Sequence, residues 1–362
     1  MKIVQVAPPW ARVPPKKYGG AELVVYNLTE GLIKRGHEVA LFASGDSKTS
    51  ARLFSVTPRS LFERKVPWDN KFFDILEMGK AIEFALKEKY EIIHDHLYDV
   101  GLVFSRISSI PIVHTIHGWP DPSQLSPGKK ELIEEYKDAM FIAIAKHQQK
   151  KLPLNYLGVV YNGIDAKKFT FNDKDGKDLI WMGRFMLKKG PHIAIEVAKK
   201  LDIKLVLAGK IDDLVPADVE YFNSMIKPQI KRGKVEYVGE IEPREKSRFM
   251  GQAKIFLNPI ECEEPFGLVV AEANACGTPV VAFARGSMPE LIKDGVNGFL
   301  VKPNDINGMV RAVKRIYQMP ENKYQAMRRA CRRHVEKNFT VEKMVEGYEK
   351  VYEKVIKDWK KK

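Results

Sequence analysis

Short apolar segments alternate with segments of helical periodicity along most of this chain, and that alternation limits its fold more than any other feature. The first apolar segment, KIVQVA, is soon followed by AELVVYNLTEGLIKRG, in which five large apolar residues recur at helical spacing. Those residues are Leu23, Val24, Leu28, Leu32 and Ile33. Strands that are apolar throughout and separated by helices are typical of a parallel sheet with both faces covered. The sequence therefore predicts an α/β fold.

The alternation occurs in two series, which indicates two domains. The first series continues through EVALFAS, EIIHDH, IPIVHTIHG and FIAIA, and the polar stretch FTFNDKDGKD follows it. The second series begins at LIWMGR and continues through KLVLAG, VEYVG, IFLNPI, TPVVAF and GFLV. A chain of 362 residues also exceeds one ordinary hydrophobic core. We therefore predict an N-terminal domain over residues 1–170, a C-terminal domain over 171–340 and a final helix over 341–362.

The composition is that of a globular protein and argues against several other classes. Hydrophobic residues make up 44% of the chain and charged residues 29%, and no apolar run reaches the roughly 18 residues of a membrane span. The first residues lack the apolar stretch of a signal peptide. Cys262, Cys276 and Cys331 are far apart, which argues against a disulfide framework and against a thiolate zinc site. We therefore expect a cytoplasmic protein.

The formal net charge of +14 indicates either an acidic partner or a solvated, lysine-rich surface. Nucleic acid, an anionic membrane and a phosphorylated substrate are the candidate partners. Neither an aromatic-interleaved basic patch nor zinc-finger spacing supports nucleic acid, so we predict none. Peripheral contact with a membrane stays open.

The segment ECEEPFGLVVAEANACGTPVVAF, residues 261–283, carries the chemistry of the chain. The spacing predicts that the strand IFLNPI ends before the loop ECEEP and that FGLVVAEANAC forms a helix. Glu264 then lies in the loop and Glu272 on the second turn of the helix. The helix N-terminus presents the amides of Phe266, Gly267, Leu268 and Val269 as an anion site. With carboxylates on either side to accept hydroxyl hydrogen bonds, the segment predicts recognition of a sugar, phosphate and nucleoside together.

This segment resembles the E-x7-E signature of the family-4 retaining glycosyltransferases with the GT-B fold. Other matching stretches are YGGAE (Tyr18–Glu22), similar to the family's Gly-Gly phosphate loop, HTIHG (His114–Gly118), YNGID (Tyr161–Asp165), MGRFMLKKG (Met182–Gly190) and PELIKDGVNGFLV (Pro289–Val301). They occur in the family's order from about residue 3 to 305. The resemblance implies two Rossmann-like open parallel-sheet domains that face each other across a cleft, with the final helix crossing back to the N-terminal domain.

The resemblance also implies the activity and its residues. It predicts metal-independent, retaining transfer of a sugar from a nucleoside-diphosphate sugar to an acceptor hydroxyl, with His117, Arg184, Lys189 and Glu264 as catalytic residues. The predicted donor-binding residues are Gly19, Gly20, Gly183, Arg184, Lys189, Glu264, Pro265, Phe266, Gly267, Leu268, Val269 and Glu272. Arg184 and Lys189 would stabilise the charge that builds on the leaving diphosphate. No cofactor is expected, and a UDP- or GDP-sugar is the favoured donor.

Four of the eight histidines, His94, His96, His114 and His117, fall within a short stretch of the chain. A His-x-His pair at a strand end can ligate zinc. Because no acidic ligand accompanies the pair at a convincing spacing, we expect structural or polar roles for His94 and His96 and predict no metal. In the family, the histidine that matches His117 lies beside the transferred sugar.

Two alternatives remain open at this point. A nucleotide-sugar epimerase on the same fold would turn over donor without acceptor. A polyanion- or anionic-membrane-binding protein would use the positive charge and would give Glu264 and Glu272 no role.

In a glycosyltransferase, the acceptor would lie against residues 10–18 and 119–130, whose lysines hint at a phosphorylated or lipid-linked acceptor.

Overall fold

The structure is a computed structural model that describes residues 1–17, 19–97, 99–118, 125–172, 176–230 and 234–361. The chain divides into two compact units. The first comprises Met1–Gly163 together with Val341–Lys362, and the second comprises Ile164–Thr340. The division therefore falls after residue 163, whereas the sequence analysis placed it after residue 170.

Both units are α/β, as predicted, and each contains one parallel sheet. The strands are β1 (Lys2–Val6), β2 (Glu38–Phe42), β3 (Arg52–Phe54), β4 (Ile92–Asp95), β5 (Ile112–Thr115), β6 (Met140–Ala143), β7 (Tyr156–Val159), β8 (Leu179–Met182), β9 (Leu205–Ala208), β10 (Val235–Tyr237), β11 (Ile255–Asn258), β12 (Val280–Phe283) and β13 (Gly298–Val301). The α-helices are α1 (Gly20–Lys34), α2 (Phe72–Lys87), α3 (Pro127–Glu135), α4 (Lys146–Lys151), α5 (Pro191–Leu201), α6 (Pro216–Tyr221), α7 (Lys227–Ile230), α8 (Lys246–Gly251), α9 (Leu268–Ala275), α10 (Met288–Leu291), α11 (Ile306–Tyr317), α12 (Glu321–Asn338) and α13 (Val341–Trp359).

The seven-stranded sheet of the first unit has the order β3-β2-β1-β4-β5-β6-β7. The central strands are buried because helices cover both faces. One layer lies between the sheet and α2, where Val4 and Ile93 pack near Met78 and Ala81. The strand order reverses direction between β1 and β4, so this unit has a topological switch point there.

The final helix, α13, belongs to the first unit and packs against α1. Gly31 of α1 lies so close to Val345 that a β-carbon at this position would overlap the valine side chain. Glu349 of α13 accepts a hydrogen bond from Arg35 Nε at 2.6 Å and lies 2.7 Å from His37 Nε2. Close packing and these polar contacts together hold α13 against the first unit.

The six-stranded sheet of the second unit has the order β10-β9-β8-β11-β12-β13. Its core is almost wholly apolar, and Trp181, Phe185, Leu207, Leu257 and Val281 are among its buried members. The strand order reverses between β8 and β11. In an open α/β sheet the loops that leave such a switch point form the usual ligand site.

Candidate functional site

Two loops leave the carboxyl edge of the second sheet at its switch point, one after β8 and one after β11. They are joined through their backbones, because Glu261 N donates to Lys188 O at 2.8 Å. Trp181, buried in the core, donates through Nε1 to Lys189 O at 3.1 Å. Gly190 adopts φ 69°, and a β-carbon there would overlap the Pro259 carbonyl oxygen. The two loops therefore pack as one rigid surface.

We expect Gly190→Ala to lower the free energy of unfolding of the second unit by about 2 kcal/mol, since left-handed strain adds to overlap with the Pro259 carbonyl. Gly295→Ala is the matched control. Gly295 has φ 73°, but its β-carbon would meet only Phe299 Cε1 at 4.0 Å, so we expect a loss of about 1 kcal/mol. Urea unfolding of both variants measures the difference, and equal losses would show that the loops are not closely packed.

Lys189 and Glu264 form an ion pair across these two loops. Lys189 Nζ lies 2.5 Å from Glu264 Oε2, and the two side chains are 26% and 15% exposed. Such a charge-assisted contact fixes both groups at the switch point while leaving part of each accessible. One cation and one carboxylate, both predicted site residues, are thus brought together there.

Arg184 lies just after β8, beside two aspartates that the sequence analysis did not identify. Its Nε is 3.2 Å from Asp218 Oδ2, and its Nη1 is 3.6 Å from Asp212 Oδ2. Burial raises the pKa of the Asp218 carboxyl, and the positive charge of Arg184 opposes that shift. Gly183 precedes Arg184, and its carbonyl lies so close to Gly209 that a β-carbon there would overlap it. Two carboxylates therefore lie beside the guanidinium, and the backbone before it is closely packed.

The helix after β11 begins later than predicted. We expected Phe266 to be its first residue, but α9 begins at Leu268, because Gly267 adopts φ 92°, which no α-helix contains. The Phe266 side chain is instead 2% exposed and packs edge-on against Phe339, with ring centroids 5.6 Å apart. The first i→i−4 bond runs from Ala271 N to Gly267 O, so the amides of Leu268 and Val269 form the free end of the helix.

Glu272 projects from the second turn of α9, as predicted, and is 1% exposed. Both carboxylate oxygens accept from Lys246 Nζ, at 3.1 and 3.2 Å. A buried carboxylate is tolerated when a cation pairs with it, and each of its oxygens can still accept further hydrogen bonds. Lys246 was not predicted, because nothing in the surrounding PREKSRFMGQ marks this lysine above its neighbours.

A third loop, between β12 and α10, supports the backbone that carries Glu264. Ser287 N donates to Glu264 O at 2.9 Å, and Gly286 N donates to Glu263 Oε2 at 2.8 Å. Arg285 Nη1 is 3.6 Å from Glu263 Oε1. Pro265, the remaining predicted residue of this loop, lies between Glu264 and the buried Phe266. Glu263 and Arg285 are therefore positioning residues that sequence reasoning missed.

In the first unit, Gly20 begins α1 and Gly19 precedes it with φ 158°. A β-carbon on Gly19 would lie 2.6 Å from Pro15 Cβ, so only glycine fits this turn. Tyr18 of the predicted Gly-Gly loop and residues 119–124 of the predicted acceptor loop lie outside the described residues. The roles of Gly19 and Gly20 stay predictions.

The histidines of the first unit contact one another and other polar side chains. His117 Nε2 lies 2.9 Å from His96 Nδ1, and His114 Nδ1 lies 2.7 Å from Asp95 Oδ2. Burial lowers the pKa of His117 to about 4, so the ring is neutral at pH 7. Within the described ranges, no three His, Cys, Asp or Glu side chains form a group that could hold a metal ion.

Among the described helices, none is both long and apolar enough to cross a bilayer. Contact between a basic surface of the protein and a membrane stays a prediction.

Two family models match the chain, and together they span most of it. The model described as glycosyltransferase family 4 matches residues 18–168, and the model described as glycosyl transferases group 1 matches residues 164–334. The two matches meet where the structure divides the chain into its two units.

Relatives in sequence carry the same description. The chain is 27% identical over 359 residues to an uncharacterized glycosyltransferase from Methanocaldococcus jannaschii, covering 87% of this chain and 89% of the relative. It is 25% identical over 344 residues to a D-inositol 3-phosphate glycosyltransferase from Mycolicibacterium smegmatis, covering 82% and 78%.

Solved structures share the fold. Sucrose-phosphate synthase from Thermosynechococcus elongatus superimposes with a TM-score of 0.83 at 20% identity, covering 98% of this chain and 99% of that one. Anabaena HepE, solved in complex with UDP and glucose, gives a TM-score of 0.74 at 19% identity, covering 97% and 98%. These matches confirm the resemblance drawn from the sequence motifs: the chain is a glycosyltransferase and belongs to family 4, with the GT-B fold.

Proposed function

We propose that this glycosyltransferase transfers a sugar from a nucleoside-diphosphate sugar to an acceptor hydroxyl, with retention of anomeric configuration, and that its second unit binds the donor. One observation carries the proposal. At the switch point, Lys189 of the loop after β8 pairs with Glu264 of the loop that leads into α9, and the same helix carries the buried Glu272. A cation, a helix N-terminus and two carboxylates are the groups that a nucleoside-diphosphate sugar needs, which supports the proposal.

The diphosphate would bind to Arg184, Lys189 and the free amides of α9, and the carboxylates beside the two cations would hold them in place. Arg184 offers a planar fork to phosphate oxygens, and Lys189 offers a compact point charge. The amides of Leu268 and Val269 add the positive end of the α9 dipole. Because these donors are held in place before the reaction, they stabilise the leaving diphosphate more in the transition state than in the ground state.

The two carboxylates would bind the two diols that flank the diphosphate. Glu272, fixed by Lys246, accepts hydrogen bonds from the ribose hydroxyls. Glu264, fixed by Lys189 and by the backbone bond from Ser287, accepts hydrogen bonds from hydroxyls of the transferred sugar. Carboxylates suit this task because each oxygen accepts more than one hydrogen bond.

We further propose same-face attack, in which an oxygen of the leaving phosphate removes the proton from the acceptor hydroxyl. Glu264 is the carboxylate assigned here to the transferred sugar, and its ion pair with Lys189 at 2.5 Å makes it a poor nucleophile for double displacement. Mass spectrometry of the protein during turnover tests this step, and a sugar adduct on any side chain would contradict it.

The proposal assigns the charge of the leaving group to Arg184, Lys189 and the helix amides, so it requires no metal ion or cofactor. UDP- or GDP-sugars are the favoured donors, and HepE, which shares the fold, has been solved with UDP and glucose. For the acceptor we propose a phosphorylated or lipid-linked hydroxyl compound, in line with the net charge of +14 and with the D-inositol 3-phosphate glycosyltransferases among the relatives.

A thermal-shift panel tests donor binding directly. UDP, GDP, ADP and their sugars are each added to the full chain with magnesium and with EDTA. A ligand at a hundred times its dissociation constant stabilises the binding unit by about 2.7 kcal/mol, so we expect one nucleotide to raise Tm by about 5 °C or more. The rise should be the same in EDTA. Failure of every nucleotide to raise Tm would overturn the donor proposal, and a rise only with magnesium would overturn its metal independence.

Retention needs a separate measurement. Once a donor is known, the product formed from its α-anomer is analysed by NMR, and we expect an α-linked sugar. A β-linked product would contradict the retaining mechanism without affecting the assignment of the donor site.

A further inference from the structure

A continuous chain of hydrogen bonds runs through the interior of the first unit and ends at His117. His117 Nε2 lies 2.9 Å from His96 Nδ1, and the two rings stack with centroids 5.1 Å apart. His96 Nε2 lies 2.9 Å from Gln5 Oε1, so the contacts pass from the residues after β5, through His96 after β4, to Gln5 on β1. His96 and Gln5 are fully buried, so water does not compete for these contacts.

The series of hydrogen bonds continues from Gln5 to α13. Gln5 Nε2 donates to Tyr352 Oη at 3.2 Å, and Tyr352 Oη lies 2.6 Å from His94 Nδ1. His94 Nε2 lies 2.8 Å from Thr115 Oγ1, which in turn lies 3.2 Å from Tyr348 Oη. Two tyrosines of the C-terminal helix are thus part of the same buried network as a predicted catalytic histidine.

The orientation of the Gln5 amide decides which atom donates and which atom accepts in each hydrogen bond from Gln5 to His117. Gln5 Oε1 can only accept, so His96 Nε2 carries a proton and donates to it. Burial holds the pKa of His96 well below its ordinary value, so the ring carries one proton and its Nδ1 is an acceptor. His117 must therefore donate from Nε2 to His96 Nδ1. In neutral His117 the remaining nitrogen, Nδ1, is then an unprotonated acceptor.

If His96 Nδ1 were the donor and His117 Nε2 the acceptor, the proton of neutral His117 would lie on Nδ1. That atom is buried and has no hydrogen-bond partner among the described residues. A buried N–H without an acceptor is rarer in proteins than a buried acceptor with a spare lone pair. The unpartnered atom thus agrees with the direction set by Gln5, and a buried acceptor without a partner indicates a ligand that supplies the missing hydrogen.

We propose that Gln5, His96 and Tyr352 hold His117 as its Nε2–H tautomer, so that Nδ1 accepts a hydrogen bond from a hydroxyl of the sugar substrate. The three are positioning residues, because they act through His117. The identity of the ligand rests on the proposed function, whereas the tautomer rests only on the buried network. An ordered water is the other source of a hydrogen at Nδ1, and the experiment below distinguishes the two.

Side-chain NMR of the full chain, labelled with ¹⁵N-histidine, tests the tautomer at pH 7.5 without any substrate. Long-range ¹H–¹⁵N correlations show which ring nitrogen carries the proton, and His117→Asn assigns the signal. We expect a protonated Nε2 and an unprotonated Nδ1 for His117. A proton on Nδ1 would overturn the inference.

Two variants test whether the network sets this state. Gln5→Leu removes the acceptor for His96, so we expect the two His117 tautomers to exchange. Gln5→Glu, as the neutral acid that burial favours, keeps an acceptor for His96 and a donor for Tyr352, so it should retain the wild-type tautomer. Tyr348→Phe is the control for the loss of a buried polar group. Tyr348 joins the network through Thr115 and His94, at the end farthest from His117, so this variant should leave the His117 signals unchanged. Identical spectra for wild type and Gln5→Leu would also overturn the inference.

Once the nucleotide-sugar donor is known, kinetic measurements identify the group that binds His117 Nδ1. If a sugar hydroxyl is bound there, Gln5→Leu should lower kcat at least tenfold while changing the affinity for the free nucleotide less than twofold, and Gln5→Glu should restore kcat. Unchanged kcat in Gln5→Leu would mean that only water or protein structure uses Nδ1, which overturns the ligand assignment. Absence of nucleotide binding would instead refute the proposed function, and the NMR result would still decide the tautomer.

Discussion

Glu272→Gln is expected to weaken binding of the nucleoside diphosphate by about 10²- to 10³-fold. The wild-type carboxylate is 1% exposed and is held by Lys246, so its remaining lone pairs are fixed for a ribose diol. Hydrogen bonds to a charged group contribute about 1.5–3 kcal/mol each, and the amide keeps the shape but loses the charge and one acceptor. Isothermal titration with the nucleotide found in the thermal-shift panel measures the change.

Lys246→Met separates ribose recognition from the integrity of α9. This variant removes the same ion pair but leaves the Glu272 carboxylate in the chain. If the carboxylate binds the ribose, Lys246→Met should lose less affinity than Glu272→Gln, because both carboxylate oxygens remain even though their cation is lost. Equal losses in the two variants would show that the pair holds the helix together and does not contact the nucleotide.

The strands that were predicted from the sequence include all six strands of the second sheet and five of the first, and most of them are apolar runs between helical segments. The exception is β10, a three-residue edge strand with an exposed glutamate, which the apolar residues around it in VEYVG indicated. The two strands that were not predicted, β3 and β7, lie at the edges of the first sheet. Arg52–Phe54 is only three residues long, and the residues of Tyr156–Val159 are only half-buried, so neither has the apolar run of an interior strand.

The residues of the candidate site were predictable where they belong to a recognisable local motif, as Lys189 does in MGRFMLKKG and the two glutamates do in the segment 261–283. Glu264 and Glu272 lie on one strand-loop-helix segment, so their spacing indicated both positions. Lys246, which pairs with Glu272, belongs to another helix, and its proximity depends on the packing of α8 against α9. The helix start was misplaced because apolar spacing does not show that Gly267 adopts φ 92°, a conformation that favours glycine, and Met288 lies too close to admit a β-carbon there.

Lys189→Ala is expected to lower kcat by about 10³-fold with a much smaller effect on the affinity for free nucleotide. The ammonium lies at the switch point, 2.5 Å from Glu264, where negative charge would build on the leaving diphosphate. An interaction that strengthens only in the transition state lowers kcat when it is lost, and a single preorganised donor of this kind contributes roughly 10²- to 10³-fold. Single-turnover rates with saturating donor measure this effect.

Lys188→Ala is the matched control, because it removes the same charge from the adjacent, exposed position. It should leave kcat within about twofold of wild type, because solvent and salt screen the interaction between an exposed charge and the leaving diphosphate. Loss of Lys189 also leaves Glu264 unpaired beside the phosphates, so Lys189→Ala combined with Glu264→Gln completes a double-mutant cycle. If the pair acts as a unit, the double variant should be far less impaired than the product of the two single losses predicts. Equal kcat in Lys188→Ala and Lys189→Ala would show that Lys189 contributes only to the general positive charge of the protein.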